Sequence, residues 1–110
     1  MKNEVNNPEK LSVVVQYFDG CPHSVEMMEN AKIAVSGLKN IEYSEVEITG
    51  PAEAVRHRFR GSPTLLINNV DFESMPAPKV PNLACRFYSD GVPSTEKIKN
   101  KILEIQAELR

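Results

Sequence analysis

The chain has 110 residues, 41% of them hydrophobic and 25% charged, and its formal net charge at pH 7 is −2. These proportions are typical of one globular domain, and the lack of a basic excess argues against nucleic acid or an anionic membrane as a partner. No apolar stretch approaches the roughly 18 residues that a transmembrane helix needs. The first ten residues are polar, without the apolar core of a signal peptide. We therefore expect a flexible leader over 1–10, a single domain over 11–110 and a cytoplasmic location.

The regular structure is predicted to begin with a strand and an amphipathic helix. Residues 11–18 form a β-branched apolar run, which favours a strand buried on both faces. From Pro22 to about Gly37, apolar residues recur at spacings of three and four, which predicts a helix with a proline in its first turn. The side chains expected to face the core are those of Val25, Met28, Ala31, Val35 and Leu38.

A second strand and a short second helix are predicted next. Residues 41–48 form the strand, but the apolar alternation slips between Tyr43 and Val46. Either a bulge or burial on both faces would explain the slip. Pro51 suits the first turn of the helix, which Gly61-Ser62-Pro63 stops. The residues expected on one side of this helix are Ala52, Val55 and Phe59.

The pattern continues as a β-hairpin. Residues 64–67 are apolar and predict a third strand, and 70–72 predict a fourth. Between them Asn68-Asn69 can adopt positive φ, as a tight hairpin turn requires. The chain order of strands and helices up to this point is β-α-β-α-β-β.

The last part of the chain predicts a loop, a short extended piece and a helix. Residues 73–82 contain three prolines and predict an irregular surface loop. Residues 85–88 are expected to be extended. Ser94 is the expected N-cap of a helix over 95–109. The apolar stripe of that helix is Ile98, Ile102, Ile105 and Leu109.

This order predicts an α/β fold with a mixed four-stranded sheet. A right-handed crossover through the first helix makes the first two strands parallel, and the hairpin adds antiparallel strands. Helices are expected on both faces of the sheet.

Cys21 is the residue most indicative of chemistry. It follows the first strand and an Asp19-Gly20 turn, and it lies at the predicted start of the first helix. Unpaired N–H groups and the positive end of the helix dipole there stabilise a thiolate, which can lower a cysteine pKa from about 8.5 to roughly 3.5–7.5. The alternative is that Cys21 is a small buried apolar residue.

Over residues 11–109, the order of strands and helices resembles the thioredoxin–glutaredoxin fold, and two motifs lie where that family has them. The first is Asp19 to Ser24, after the first strand, and the second is Gly61 to Thr64, before the third. More narrowly, the chain resembles small prokaryotic thioredoxin-like proteins with an Arg-x-x-Gly-Ser-Pro-Thr segment, here 58–64, and a later Cys-Arg-x-Tyr, here 85–88. Some members of that group are described as similar to alkylmercury lyase. The resemblance implies a thiol–disulfide oxidoreductase with Cys21 as the nucleophile.

The motif departs from dithiol relatives at one position. Where they carry a second cysteine, this chain has Ser24, which can hydrogen-bond a thiolate but cannot form a disulfide. The chain thus resembles monothiol glutaredoxins, which would use glutathione as a co-substrate. Alternatively Cys85 is the resolving thiol, if its Cα atom comes within about 7 Å of that of Cys21. A structural role for Cys85 is the further alternative.

Neighbouring residues are also candidates for the site, some from their own chemistry and some from the resemblance. His23, if protonated, would lower the thiol pKa, and together with Ser24 it completes the predicted catalytic set. The alternative is that His23 is an exposed residue of the first helical turn. Pro63 is expected to follow a cis peptide bond, and the backbone before it is expected to be free to pair with a substrate chain. Arg58, with its neighbouring arginines, could attract the carboxylates of glutathione or simply complement a helix end. The predicted substrate-binding residues are Pro22, Ser62, Pro63, Thr64 and Arg58.

Two hypotheses for function follow. The first is an oxidoreductase that acts on protein or glutathione thiols and disulfides and needs no bound cofactor. The second is a binding module in which Cys21 and Cys85 capture a thiophilic metal, an organomercurial or a protein partner without turnover. No Cys-x-x-Cys or His-x-x-His pair exists, so a structural zinc site is not expected.

Overall fold

The computed structural model describes residues 10–109, so nearly all of the predicted leader lies outside the described residues. The helices and strands follow the predicted order. They are β1 (Leu11–Tyr17), α1 (Ser24–Val35), β2 (Ile41–Glu47), α2 (Pro51–Arg56), β3 (Thr64–Ile67), β4 (Val70–Asp71) and α3 (Thr95–Glu108).

The strands form one mixed four-stranded sheet, as the sequence predicted, and their order is β2-β1-β3-β4. β1 pairs with β2 in parallel, whereas the β1–β3 and β3–β4 pairs are antiparallel. Asn68 and Asn69 turn the β3–β4 hairpin with φ of 51° and 68°. Positive φ at both central residues is what a two-residue type I′ turn needs, and asparagine tolerates it well.

Burial on both faces explains the slipped alternation of β2. Its pairing with β1 runs without interruption over seven residues, so there is no bulge between these two strands. Ile41 and Tyr43 pack on the main core, while Val46 and the following Ile48 pack on the opposite face with Phe59. The two sides of the sheet are therefore both covered.

The main core lies between one face of the sheet and the helices α1 and α3. Side chains from the two central strands and both helices are fully buried there. They are Leu11, Val13, Val15, Met27, Ala31, Ala34, Leu65, Ile67, Ile98 and Ile102. This packing fixes the loop after β1 and the loop before β3, which the sheet places side by side because β1 and β3 are neighbours.

The helix faces differ in part from the prediction. Helix α1 begins at Ser24 rather than Pro22, and Val25 is 61% exposed while Met27 and Ala34 are buried. A turn over residues 21–24 delays the helix and sets which residues face the core.

Helix α2 differs in which residues it buries, whereas α3 follows the prediction except at its last residue. On α2, Ala54 is buried instead of Ala52 and Val55. On α3 the predicted Ser94 cap is confirmed, since its Oγ accepts from the Lys97 N–H at 3.1 Å. Leu109 is the C-cap of α3 and is exposed. Between residues 10 and 109, no helix has the length and apolarity to cross a membrane.

Candidate active site

Cys21 and Cys85 are joined by a disulfide, although 64 positions separate them in sequence. Their Cα atoms are 5.6 Å apart, within the range over which a bridge forms without backbone movement. The two cysteines differ in access, since Cys21 is 6% exposed and Cys85 is an exposed residue. Of the alternatives left open for Cys85, the structure therefore adopts the one in which it pairs with Cys21.

Cys21 lies one turn before α1, not in its first turn. Its carbonyl accepts from the Ser24 N–H at 3.3 Å, which closes a turn over Pro22 and His23, and His23 is the N-cap of the helix. Pro22 is exposed. The side chain of His23 is 46% exposed and lies 3.9 Å from the carboxylate of Glu26, so it faces the helix surface.

Ser24 contacts Ser62 across the site. The two hydroxyl oxygens are 2.9 Å apart and buried. The Ser62 Oγ also accepts from the Phe18 N–H at 3.0 Å. The motif serine thus joins the start of α1 to the end of β1 and to the loop before β3, a role in positioning that the sequence did not suggest.

The backbone beside Pro63 is already paired. The Ser62–Pro63 peptide bond is cis, as expected. The Ser62 N–H donates to the Ala84 carbonyl and the Ser62 carbonyl accepts from the Arg86 N–H, both at 2.8 Å. We call residues 84–86 the strap and these two backbone groups of Ser62 the main-chain slot. The expectation that the slot is free for a substrate chain is wrong in this structure, because the strap fills it and delivers Cys85 to Cys21.

Arg86 fastens the strap to the sheet from a buried position. Its guanidinium donates to both carboxylate oxygens of Asp71, at 2.7 and 2.9 Å, and to the Thr64 hydroxyl at 3.2 Å. Arg86 is 6% and Asp71 4% exposed. The guanidinium also lies 4.7 Å from the centre of the Tyr88 ring, a cation–π contact. This network escaped sequence analysis, although Asp71 in an otherwise apolar strand was a signal for a buried partner.

Electrostatics favour the charged forms of this pair. Burial raises the pKa of Asp71, but hydrogen bonds from Arg86 and from the N–H groups of Met75 and Glu73 outweigh it, so the pKa lies below its ordinary value. Burial lowers the pKa of Arg86, and the hydrogen bond to Asp71 reverses this, so it lies above its ordinary value. Burial is also the main reason why the pKa of Tyr88 is raised.

The remaining predicted site residues lie in two different places. Thr64 is fully buried, and its hydroxyl donates to the Gly61 carbonyl at 2.6 Å while it accepts from Arg86. It therefore supports the site from behind. Arg58 is exposed with φ of 52° and lines a pocket that Cys85 does not share.

A cleft of about 210 Å³ adjoins Cys85. One wall is formed by residues 59–61, and the proline-rich loop supplies the other. The Arg60 Nε donates to the Met75 carbonyl at 2.7 Å and ties the two walls together. Among residues 10–109, no group of three or more His, Cys, Asp or Glu side chains is arranged to hold a metal ion.

The comparisons with known proteins support the fold. No protein-family model and no curated protein matches the sequence. The structure is similar to that of human ERp44 in its zinc-bound form, with a TM-score of 0.58 and 17% sequence identity. The similarity covers 90% of this chain but only 27% of the ERp44 chain. ERp44 is a thioredoxin-fold protein, and the present chain has a thioredoxin-like fold.

Proposed function

We propose that this protein is a thiol–disulfide oxidoreductase whose redox couple is Cys21 and Cys85. The observation that carries the proposal is the disulfide between them, placed where β1 leads into α1 and beside the Ser62–Pro63 bond. If Cys21 acted alone and Cys85 were a structural residue elsewhere in the fold, the two would not be joined by a disulfide. The narrower likeness to prokaryotic proteins with Cys-Pro-x-x, Gly-Ser-Pro-Thr and Cys-Arg-x-Tyr motifs is part of the proposal.

The different exposure of the two cysteine residues suggests the order of steps. An external thiolate attacks the Cys85 sulfur, because Cys85 is the exposed partner, and Cys21 leaves as a thiolate. A second external thiolate then displaces Cys85, which leaves a dithiol and one external disulfide. Two electrons pass to the protein. In the oxidising direction the Cys21 thiolate is the nucleophile that closes the bridge and expels the external thiol from Cys85.

The chemistry of the couple and the net charge of the chain suggest the partners. The external thiol or disulfide is glutathione or a protein cysteine, and no bound cofactor is needed because the two sulfurs carry both electrons. We propose a cytoplasmic location, where such a couple cycles against a reducing thiol pool. Neither nucleic acid nor a membrane surface is proposed as a partner, given the net charge of −2.

A second candidate function rests on the same pairing. Once reduced, two thiolates face each other across a backbone separation of 5.6 Å, which suits two-coordinate binding of a soft ion or an organomercurial. Turnover distinguishes this binding module from the oxidoreductase.

The test is intact mass after reduced protein is incubated with oxidised glutathione. The parent should lose two hydrogens and retain no glutathione. Cys85→Ser should retain one glutathione on Cys21, and Cys21→Ser should retain one on Cys85. Ser94→Ala, which keeps both cysteines, is the matched control and should behave as the parent does.

Two results would count against the proposal. A parent that stops at one stable glutathione adduct is a monothiol protein, and the couple is wrong. If no variant reacts, while the reduced parent binds one equivalent of Hg²⁺, the binding module replaces the oxidoreductase.

A further inference from the structure

The strap is held in the main-chain slot as an added strand would be. Ser62 and Cys85 form a parallel bridge through the two 2.8 Å bonds on either side of Cys85. Extended peptides bind exposed sheet edges through this type of pairing. The strap is therefore a tethered peptide whose cysteine already lies against Cys21.

Besides the two backbone hydrogen bonds to Ser62, two side-chain attachments hold the strap. One is the disulfide at Cys85. The other is the side chain of Arg86, whose carboxylate partner Asp71 belongs to β4 and also accepts from the N–H groups of Glu73 and Met75, at 2.9 and 3.1 Å. None of these bonds involves sulfur, so reduction of the disulfide does not itself break any of them.

Neighbouring residues close around the same arginine. Tyr88, whose ring contacts the guanidinium, donates its hydroxyl proton to the Pro63 carbonyl at 2.7 Å. Gly61 has φ of 110°, and a Cβ atom added there would lie 2.8 Å from the Arg86 Cβ. The backbones approach this closely only because residue 61 is glycine.

We propose that Arg86 is a positioning residue: its buried pair with Asp71 keeps the strap in the main-chain slot after the disulfide is reduced, so that Cys85 stays opposite Cys21. This inference rests on the proposed function. A flexible tether gives an effective concentration in the millimolar range. A strap held on the sheet gives a far higher one, so a mixed disulfide on either cysteine is resolved within the molecule.

The first test is hydrogen exchange of the reduced parent, which needs no substitution. The amides of Ser62 and Arg86 report the strap, and that of Ile48, which donates to the Tyr17 carbonyl at 2.7 Å, is the reference. We expect the two strap amides to keep their protection within about tenfold on reduction. If their protection falls to that of exposed loops while Ile48 is unchanged, the disulfide holds the strap and the inference is wrong.

The second test is the redox equilibrium with glutathione. One molecule of oxidised glutathione converts the dithiol to the disulfide and releases two molecules of reduced glutathione, so the equilibrium constant is an effective concentration. We expect Arg86→Gln and Gly61→Ala each to lower it at least about tenfold, towards the millimolar value of a flexible tether. Arg86→Lys should recover little, because lysine lacks the planar fork that binds both carboxylate oxygens.

Two controls separate positioning from loss of stability. Arg56→Gln removes an exposed arginine that pairs with Glu53, and Ser94→Ala removes the N-cap bond of α3 to Lys97, which involves no strap residue. Both should leave the effective concentration unchanged, even though Ser94→Ala lowers the urea midpoint. An Arg86→Gln protein with the parent's effective concentration would overturn the inference.

Failure of the proposed function would be visible separately. Cys85→Ser cannot form the bridge, yet its strap amides should stay protected whether or not Cys21 reacts with glutathione. If the strap amides are protected but the cysteines do not react with glutathione, only the oxidoreductase proposal is refuted. If the cysteines react but the strap amides are unprotected, only the positioning role is refuted.

Discussion

The two cysteines of the bridge are held by different physical interactions. Cys21 precedes a helix whose Met27, Ala31 and Ala34 are buried in the apolar core. Cys85 lies on a strap that is fastened by two backbone hydrogen bonds and by the buried Arg86–Asp71 pair. Apolar packing does not depend on pH, and the stability it provides falls gradually as a buried side chain is made smaller. A buried ion pair depends on pH and fails when a single partner is lost.

The largest effect is expected from breaking the ion pair. Asp71→Asn leaves the Arg86 charge buried without its counter-ion, which costs about 3–5 kcal/mol of the free energy of unfolding. Urea unfolding of the oxidised protein measures it. Asp90→Asn, at an exposed carboxylate, is the control and should change stability by less than about 0.5 kcal/mol. Equal effects of the two substitutions would mean that the pair contributes nothing.

A core substitution should damage the other side of the bridge in a different way. Met27→Ala removes a fully buried side chain from α1 and should cost about 2–5 kcal/mol in urea unfolding. Because the strap is untouched, the redox equilibrium with glutathione should stay at the parent value. A shift as large as that of Arg86→Gln would contradict the separation of the two sides.

Acid should weaken the strap side selectively. The folded pKa of Asp71 is lower than its unfolded value of about 3.9, so its contribution is complete above that pH and is lost as the pH falls through the folded pKa. The free energy of unfolding of the parent should therefore fall more steeply than that of Asp71→Asn as the pH drops below about 4. Parallel curves for the two proteins would contradict this assignment, and Met27→Ala should follow the slope of the parent.

The smallest effect is expected at the hydroxyl pair that joins the two sides. Ser24→Ala removes one buried hydrogen bond, while Ser62 keeps its bond from the Phe18 N–H, so the cost should be about 0.5–1.5 kcal/mol. Thermal or urea unfolding measures it, with the exposed Ser44→Ala as the control. A loss beyond that of Met27→Ala would show that Ser24 has a larger role than this one bond.

Local patterns in the sequence predicted most of the fold. The hairpin at Asn68-Asn69, the Ser94 cap and the parallel β1–β2 pair all depend on short-range rules, and the structure confirms each of them. The exposed position of Val25 was missed, because it depends on a turn that delays α1 until Ser24. Periodicity alone does not show where a helix begins.

The candidate site was only partly predictable, for a physical reason. Cys21 and Pro63 belong to local motifs, but the strap follows a proline-rich loop without periodicity, so its path could not be derived. Arginine side chains are usually exposed to solvent. Arg86 can be buried because folding brings it against the carboxylate of Asp71, 15 residues earlier in the chain. The sequence showed two thiols that could pair, and the tertiary fold determines that they do.

The strand order has a consequence for association between molecules. The edge strand β2 carries exposed glutamates at 42, 45 and 47, and the opposite edge, β4, has only two residues. Charge and shortness are two ways in which proteins prevent edge-to-edge aggregation. The strap also occupies the Ser62 backbone, so that part of the sheet is not open to a neighbouring copy. By filling the main-chain slot, the strap therefore also protects the protein against fibril-like self-assembly.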